Sequence, residues 1–229
     1  MADSKQEGAT KGSQLQLQRI VNERPEELNA LILGASPTLL AFGARGITWR
    51  SPLKEPTEGT AYYEYRDDFL KPLGLEDRES KLREFWPSKG PRWDGLAIVD
   101  SPKGSGYLLV EAKAHGGEAN SESGAKASDS VAQIEAALKQ TQKYMHVPAG
   151  EWTKPYYQLA NRLAFLYFMN IELELPTWLV LINFVADTTH LPTELGEWLE
   201  KYREMYKKLR IGHDSPLTEK VVCVFPKAV

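Results

Sequence analysis

Two short apolar runs, residues 93–99 (WDGLAIV) and 107–113 (YLLVEAK), are bounded by Pro, Gly and Ser and read as β-strands. Residues 100–106 (DSPKGSG) make the turn between them. Side chains alternate along a strand, so Tyr107, Leu109, Glu111 and Lys113 share one face while Leu108, Val110 and Ala112 share the other. Glu111 and Lys113 thus project together from the end of an otherwise apolar strand. If the two strands pair antiparallel, the start of one meets the end of the other, and Asp94 falls beside Glu111.

Around this hairpin the chain alternates helical and strand patterns. Residues 1–13 are small and polar and read as a flexible tail. Residues 14–33 have helical spacing with Pro25 at a first helical position, and 46–50 (GITWR) read as a strand. Residues 52–60 read as a loop, and 62–70 and 76–85 as helices that end at Pro87, Gly90 and Pro91. After a Gly- and Ser-rich stretch at 115–130, apolar residues step by three and four from Ala127 to Met145, a helix. A second helix over 155–169 is more apolar all round and therefore more buried. Strands at 178–185 and 221–225 enclose a helix at 194–209. The pattern predicts an α/β fold bordering on α+β, with one domain over 14–229. Within it, 14–60 form an N-terminal helical extension and 61–229 the core.

Composition narrows what such a domain does. With 28 basic and 31 acidic residues the net charge is −3. No global positive field therefore draws in a polyanion, and any nucleic-acid contact is confined to a local groove or needs a partner's help. The single cysteine, Cys223, lies among Val221, Val222, Val224 and Phe225 and excludes a disulfide framework or a cysteine-rich zinc site. The N-terminal segment has no apolar core, and the most apolar stretch, 159–185, is interrupted by polar residues and Pro176. The expectation is a cytoplasmic protein without a membrane partner. The chain contains no Gly-x-Ser-x-Gly elbow, phosphate-cradling Gly-x-x-x-x-Gly-Lys loop or dinucleotide fingerprint.

Two carboxylates and an ammonium converging at a sheet edge suit metal-assisted phosphodiester hydrolysis. Carboxylate oxygens hold Mg²⁺ while its other positions take water and phosphate. The lysine then orients the attacking water or stabilises developing charge. A surface salt bridge at a strand end is the competing reading. Asp94-Gly95 opening a hydrophobic strand, followed by Val110-Glu111-Ala112-Lys113, resembles the PD-(D/E)XK nuclease superfamily over roughly residues 60–185. Trp93, with Pro91 two places earlier, stands where that signature has proline.

The resemblance implies a restriction-endonuclease-like mixed sheet flanked by helices. It implies a nuclease acting on nucleic acid, DNA by analogy, with Mg²⁺ or Mn²⁺ as cofactor. Asp94, Glu111 and the Ala112 carbonyl would hold the metal, and Lys113 would be catalytic. A further acidic ligand from a preceding helix would be Glu64 or Glu84. The alternative is a catalytically silent member of the same fold, acting as a nucleic-acid-binding or protein-interaction module. A homodimer or protein partner is left open.

Other polar residues are candidate nucleic-acid contacts. His115 lies two residues beyond Lys113. Gln158 and Arg162, four apart, share one face of the buried helix with Asn161 beside them, a polar stripe that needs partners. Those partners are the carboxylates, a bound phosphate or an internal ion pair. Lys126, Lys139 and Lys143 add positive charge nearby. Gln140 and Tyr144 match a Gln-x-x-x-Tyr spelling found in the exonuclease branch of the superfamily.

Overall fold

The structure is a computed structural model that describes residues 5–55 and 61–228. A five-stranded mixed sheet forms its centre, in the order β2 (Gly46–Ser51), β4 (Gly95–Ser101), β5 (Gly104–Lys113), β6 (Thr177–Asn183), β7 (Val221–Val224). The first three strands are antiparallel, and β5–β6 and β6–β7 are parallel. A second, two-stranded sheet pairs β1 (Lys5–Glu7) with β3 (Ala61–Tyr63).

Helices cover both faces of the main sheet. On one side α1 (Gly12–Glu23), α2 (Pro25–Gly34) and α3 (Pro37–Phe42) bury Leu17, Ile20, Leu28, Ile32 and Leu39 against Leu108, Val110, Val180 and Ile182. On the other side α4 (Glu79–Phe85), α5 (Ser128–Tyr144), α6 (Tyr157–Tyr167) and α7 (Leu195–Leu209) pack on Leu96, Leu109, Leu179 and Leu181. From Gly106 to Lys113, β5 is buried throughout, as are all seven residues of β6. Strands covered on both faces read as near-continuous apolar runs. Gly106 is required by this packing, since a Cβ there would lie 2.9 Å from the Trp178 ring.

The α/β reading and the main strands and helices agree with the sequence. Four expectations need correction. The helix expected over 14–33 is two helices, because Pro25 has no N–H to donate and Arg24 before it leaves the helical region at φ −141° and ψ 48°. Residues 62–70 are not one helix. Tyr62 and Tyr63 belong to β3, Tyr65 bridges to Trp93, and the rest is bend and turn, with a short 3₁₀ segment only afterwards at Lys71–Leu73. Aromatic residues favour a pleated surface, and tertiary pairing outweighs the helical spacing here. The expected seven-residue turn is shorter, because the strands pair as far as Ser101 and Gly104 and Gly104 takes φ +107°. The segment read as a tail contributes β1, and β2 from the supposed helical extension belongs to the main sheet. Part of the 52–60 loop lies outside the described residues. No described helix is long and apolar enough to cross a membrane.

Candidate functional site

The cluster sits at the carboxyl end of β5, the third of five strands and hence central, rather than at a sheet edge. Pairing of β4 with β5 begins at Gly95↔Val110. Asp94 lies just outside this ladder, and its Oδ2 accepts a hydrogen bond from the Ala112 N–H at 2.8 Å. The side chain thus replaces the backbone partner that β4 no longer provides, and the expected proximity of Asp94 to Glu111 is realised. A residue's N–H and C=O leave a strand on the same side, so the Ala112 carbonyl points past the end of β4 as well.

Glu111 and Lys113 are 4% and 7% exposed, which removes the surface-salt-bridge reading. Lys113 Nζ donates to Glu111 Oε1 at 2.8 Å and to Gln158 Oε1 at 2.6 Å. Arg162 donates from Nε and Nη2 to Glu111 Oε2, at 2.9 and 2.5 Å. Its Nη1 donates to Asn161 Oδ1 and its Nη2 also reaches the Arg92 carbonyl. The guanidinium lies 4.5 Å from the Trp93 ring centroid, so an aromatic face supports it from below. The polar stripe of α6 therefore finds its partners in Glu111 and Lys113, one of the three outcomes left open by the sequence.

Electrostatics divide the two carboxylates. Burial pushes the Asp94 carboxyl well above the usual carboxylate range, and the charge of Glu111 pushes it further, against the Ala112 N–H, Arg162 and Lys113. Burial also acts to raise Glu111, but Arg162 and Lys113, by charge and by hydrogen bond, outweigh it and leave that carboxyl lowered. Asp94 is the carboxylate short of positive charge.

The donor set is of the kind a hard divalent cation uses, although both Glu111 oxygens are already engaged by Lys113 and Arg162. Asp94, Glu111 and the Ala112 carbonyl are oxygen donors gathered at one strand end, and Mg²⁺ uses one or two carboxylates together with substrate phosphate. Among the described residues Asp94 Oδ1 accepts no hydrogen bond, which leaves it available. Neither proposed extra ligand completes a cluster, because among the described residues no three His, Cys, Asp or Glu side chains gather around one point. Glu64 is buried, accepts from Gln14 Nε2 at 2.7 Å and lies 4.0 Å from Arg92 Nη1. Glu84 is exposed on α4.

The remaining candidates lie elsewhere. The strand ends at Lys113, and His115 turns to Glu118 (3.6 Å) and to the edge of His190. It lines a separate cleft with Thr193, Glu197 and Lys201. Lys143 is exposed near the end of α5. Gln140 bonds Tyr167 and Glu172, and Tyr144 packs on Tyr167, so the Gln-x-x-x-Tyr spelling belongs to the far end of α6. Sequence reasoning missed Trp93 as the platform for Arg162 and Arg92 as its carbonyl partner. An aromatic beside the aspartate was the only local signal. Comparisons with protein-family models, curated proteins and solved structures found no match to this chain.

Proposed function

We propose that the protein is a metal-dependent nuclease that hydrolyses phosphodiester bonds, with DNA as the substrate by analogy to the superfamily its motif resembles. One observation carries the reading: Asp94, hydrogen-bonded to the residue next to Glu111, faces a carboxylate already held between Lys113 and Arg162. Burying Glu111, Lys113 and Arg162 together beside a partly buried Asp94 is costly, and an apolar set of the same volume would serve stability as well or better. Asp94, Glu111 and the Ala112 carbonyl would hold Mg²⁺ or Mn²⁺, which when bound polarises a phosphoryl oxygen and lowers the pKa of a coordinated water. Lys113, oriented by Gln158 and Glu111, presents its ammonium to charge that develops on the scissile phosphate. Arg162 holds Glu111 ionised and in place.

A silent module of the same fold is the second reading. It is favoured by the closure of the network, in which Lys113 and Arg162 already occupy both Glu111 oxygens. Cleavage of plasmid and of linear single-stranded DNA, with Mg²⁺, Mn²⁺ or EDTA, separates the two readings. Metal-dependent cleavage by wild type that is lost in Lys113→Met supports the nuclease. Absence of cleavage together with absence of calorimetric Mn²⁺ binding removes it and leaves the silent module.

A further inference from the structure

A cavity of about 710 Å³ lies beside the cluster, between the segment that follows β3, the 86–91 turn, the approach to α5 and the first turn of α6. Its wall carries three cationic side chains, Arg66, Lys89 and Lys126, and no Asp or Glu. Among the described residues none of the three takes part in an ion pair, although the protein as a whole has a net charge of −3. The nearby Asp67 carboxylate is engaged by the Lys89 and Gly90 N–H groups and by Arg83. Arg66 Nε is buried without a hydrogen-bond partner. Three like charges around one hollow repel one another unless an anion lies among them.

Two further features point to the same ligand chemistry. Ala127 precedes α5 and cannot cap it with its side chain, and Ala127 and Ser130 line the cavity, so the first turn of the helix borders it, with Asp129 of that turn outside the lining. The half-buried Tyr157 contributes an aromatic ring to the wall, while Trp86 beneath it is packed into the core. Cations beside an aromatic ring suit phosphates carrying flat bases, the combination used on unpaired strands. The volume is that of a small-ligand pocket, about 300–1,000 Å³, so one nucleotide enters where the body of a duplex does not. Asn161 is shared by both sites, since it lines the cavity and its Oδ1 accepts from Arg162, which holds Glu111.

We infer that this cavity seats an unpaired nucleic-acid strand, with its phosphates on Arg66, Lys89 and Lys126 and the strand leading past Asn161 to Glu111 and Lys113. The choice of nucleic acid among phosphate ligands rests on the nuclease reading.

The test is fluorescence anisotropy with a labelled twelve-nucleotide oligodeoxythymidine, in EDTA and across a salt series, with a blunt duplex as comparison. Wild type is measured against Arg66→Gln/Lys89→Gln/Lys126→Gln and against Lys103→Gln/Lys207→Gln/Lys227→Gln, which makes the same charge change elsewhere. Circular dichroism confirms that both variants fold. Wild type should prefer the single strand, and the cavity variant should lose at least tenfold in affinity. Its slope of log affinity against log salt should fall by about 2, from roughly 0.7 per phosphate contact on a single strand. The control variant should keep most of both.

A cavity variant that binds like the control overturns the inference, as does a wild type that binds no single strand or prefers the duplex. Binding that collapses only in the cavity variant, with neither cleavage nor calorimetric Mn²⁺ binding by wild type, supports the strand site and removes the nuclease reading alone. Cleavage by wild type and by a cavity variant that binds like the control removes the strand site alone.

Discussion

The two faces of β5 obey opposite rules. Leu108, Val110 and Ala112 point to α1 and α2 and need only to be kept from water. Glu111 and Lys113, equally buried on the other face, need partners, and α6 supplies them with Arg162 and Gln158. On the first face each substitution should be felt as lost volume. On the second it should be felt as lost charge balance, because a buried ion without its partner costs more than a cavity of similar size.

Breaking the charged face should give the largest effect. Lys113→Met should lower cleavage by at least about 10²–10³-fold, the scale for removing one charge-stabilising donor. It should also shift the urea midpoint less than Arg162→Ala does, because Arg162 still neutralises Glu111. Arg162→Ala should cost about 3–5 kcal/mol, read from urea unfolding, because Glu111 and Asp94 are left facing one ammonium. On the apolar face Leu108→Ala should cost about 2–5 kcal/mol in the same experiment and leave Mn²⁺ binding intact.

The comparison is sharpened by removing the charges together. Glu111→Leu/Lys113→Met/Arg162→Met should be neutral or up to about 1–4 kcal/mol more stable than wild type, with metal binding and cleavage gone. A strongly destabilised triple variant would mean that the cluster is structural.

The last effect belongs to β7 and is absent at neutral pH: burial raises the Cys223 thiol to about 12. The folded state keeps that proton while the unfolded chain releases it above about 8.5. Stability should therefore fall as pH rises from about 9 towards 12, and Cys223→Ala should flatten the fall in urea midpoints. Wild-type Cys223 should react with a thiol reagent at pH 8 far more slowly in the native than in the urea-unfolded state.

The hairpin was legible because its signals are local. Alternation places Glu111 with Lys113, and turn chemistry brings Asp94 back to them. The stripe of Gln158, Asn161 and Arg162 was legible as a demand for partners, but nothing in its spacing named Glu111, 51 residues away. The pairing of Lys5–Glu7 with Ala61–Tyr63 was not legible, because each segment alone is short and polar or irregular. Arg66, Lys89 and Lys126 share no spacing, and only the tertiary fold sets them around one cavity.

Strand and helix periodicity, the proline and glycine boundaries and the convergence of Asp94, Glu111 and Lys113 follow from the sequence by itself. They depend on neighbours within a few residues or across one tight turn. The central place of β5, the burial of its charged end and the choice of Arg162 as counter-ion belong to the tertiary structure. Strand order and desolvation are set by contacts between distant segments, and an ion taken out of water accepts whichever partner the packing brings within reach.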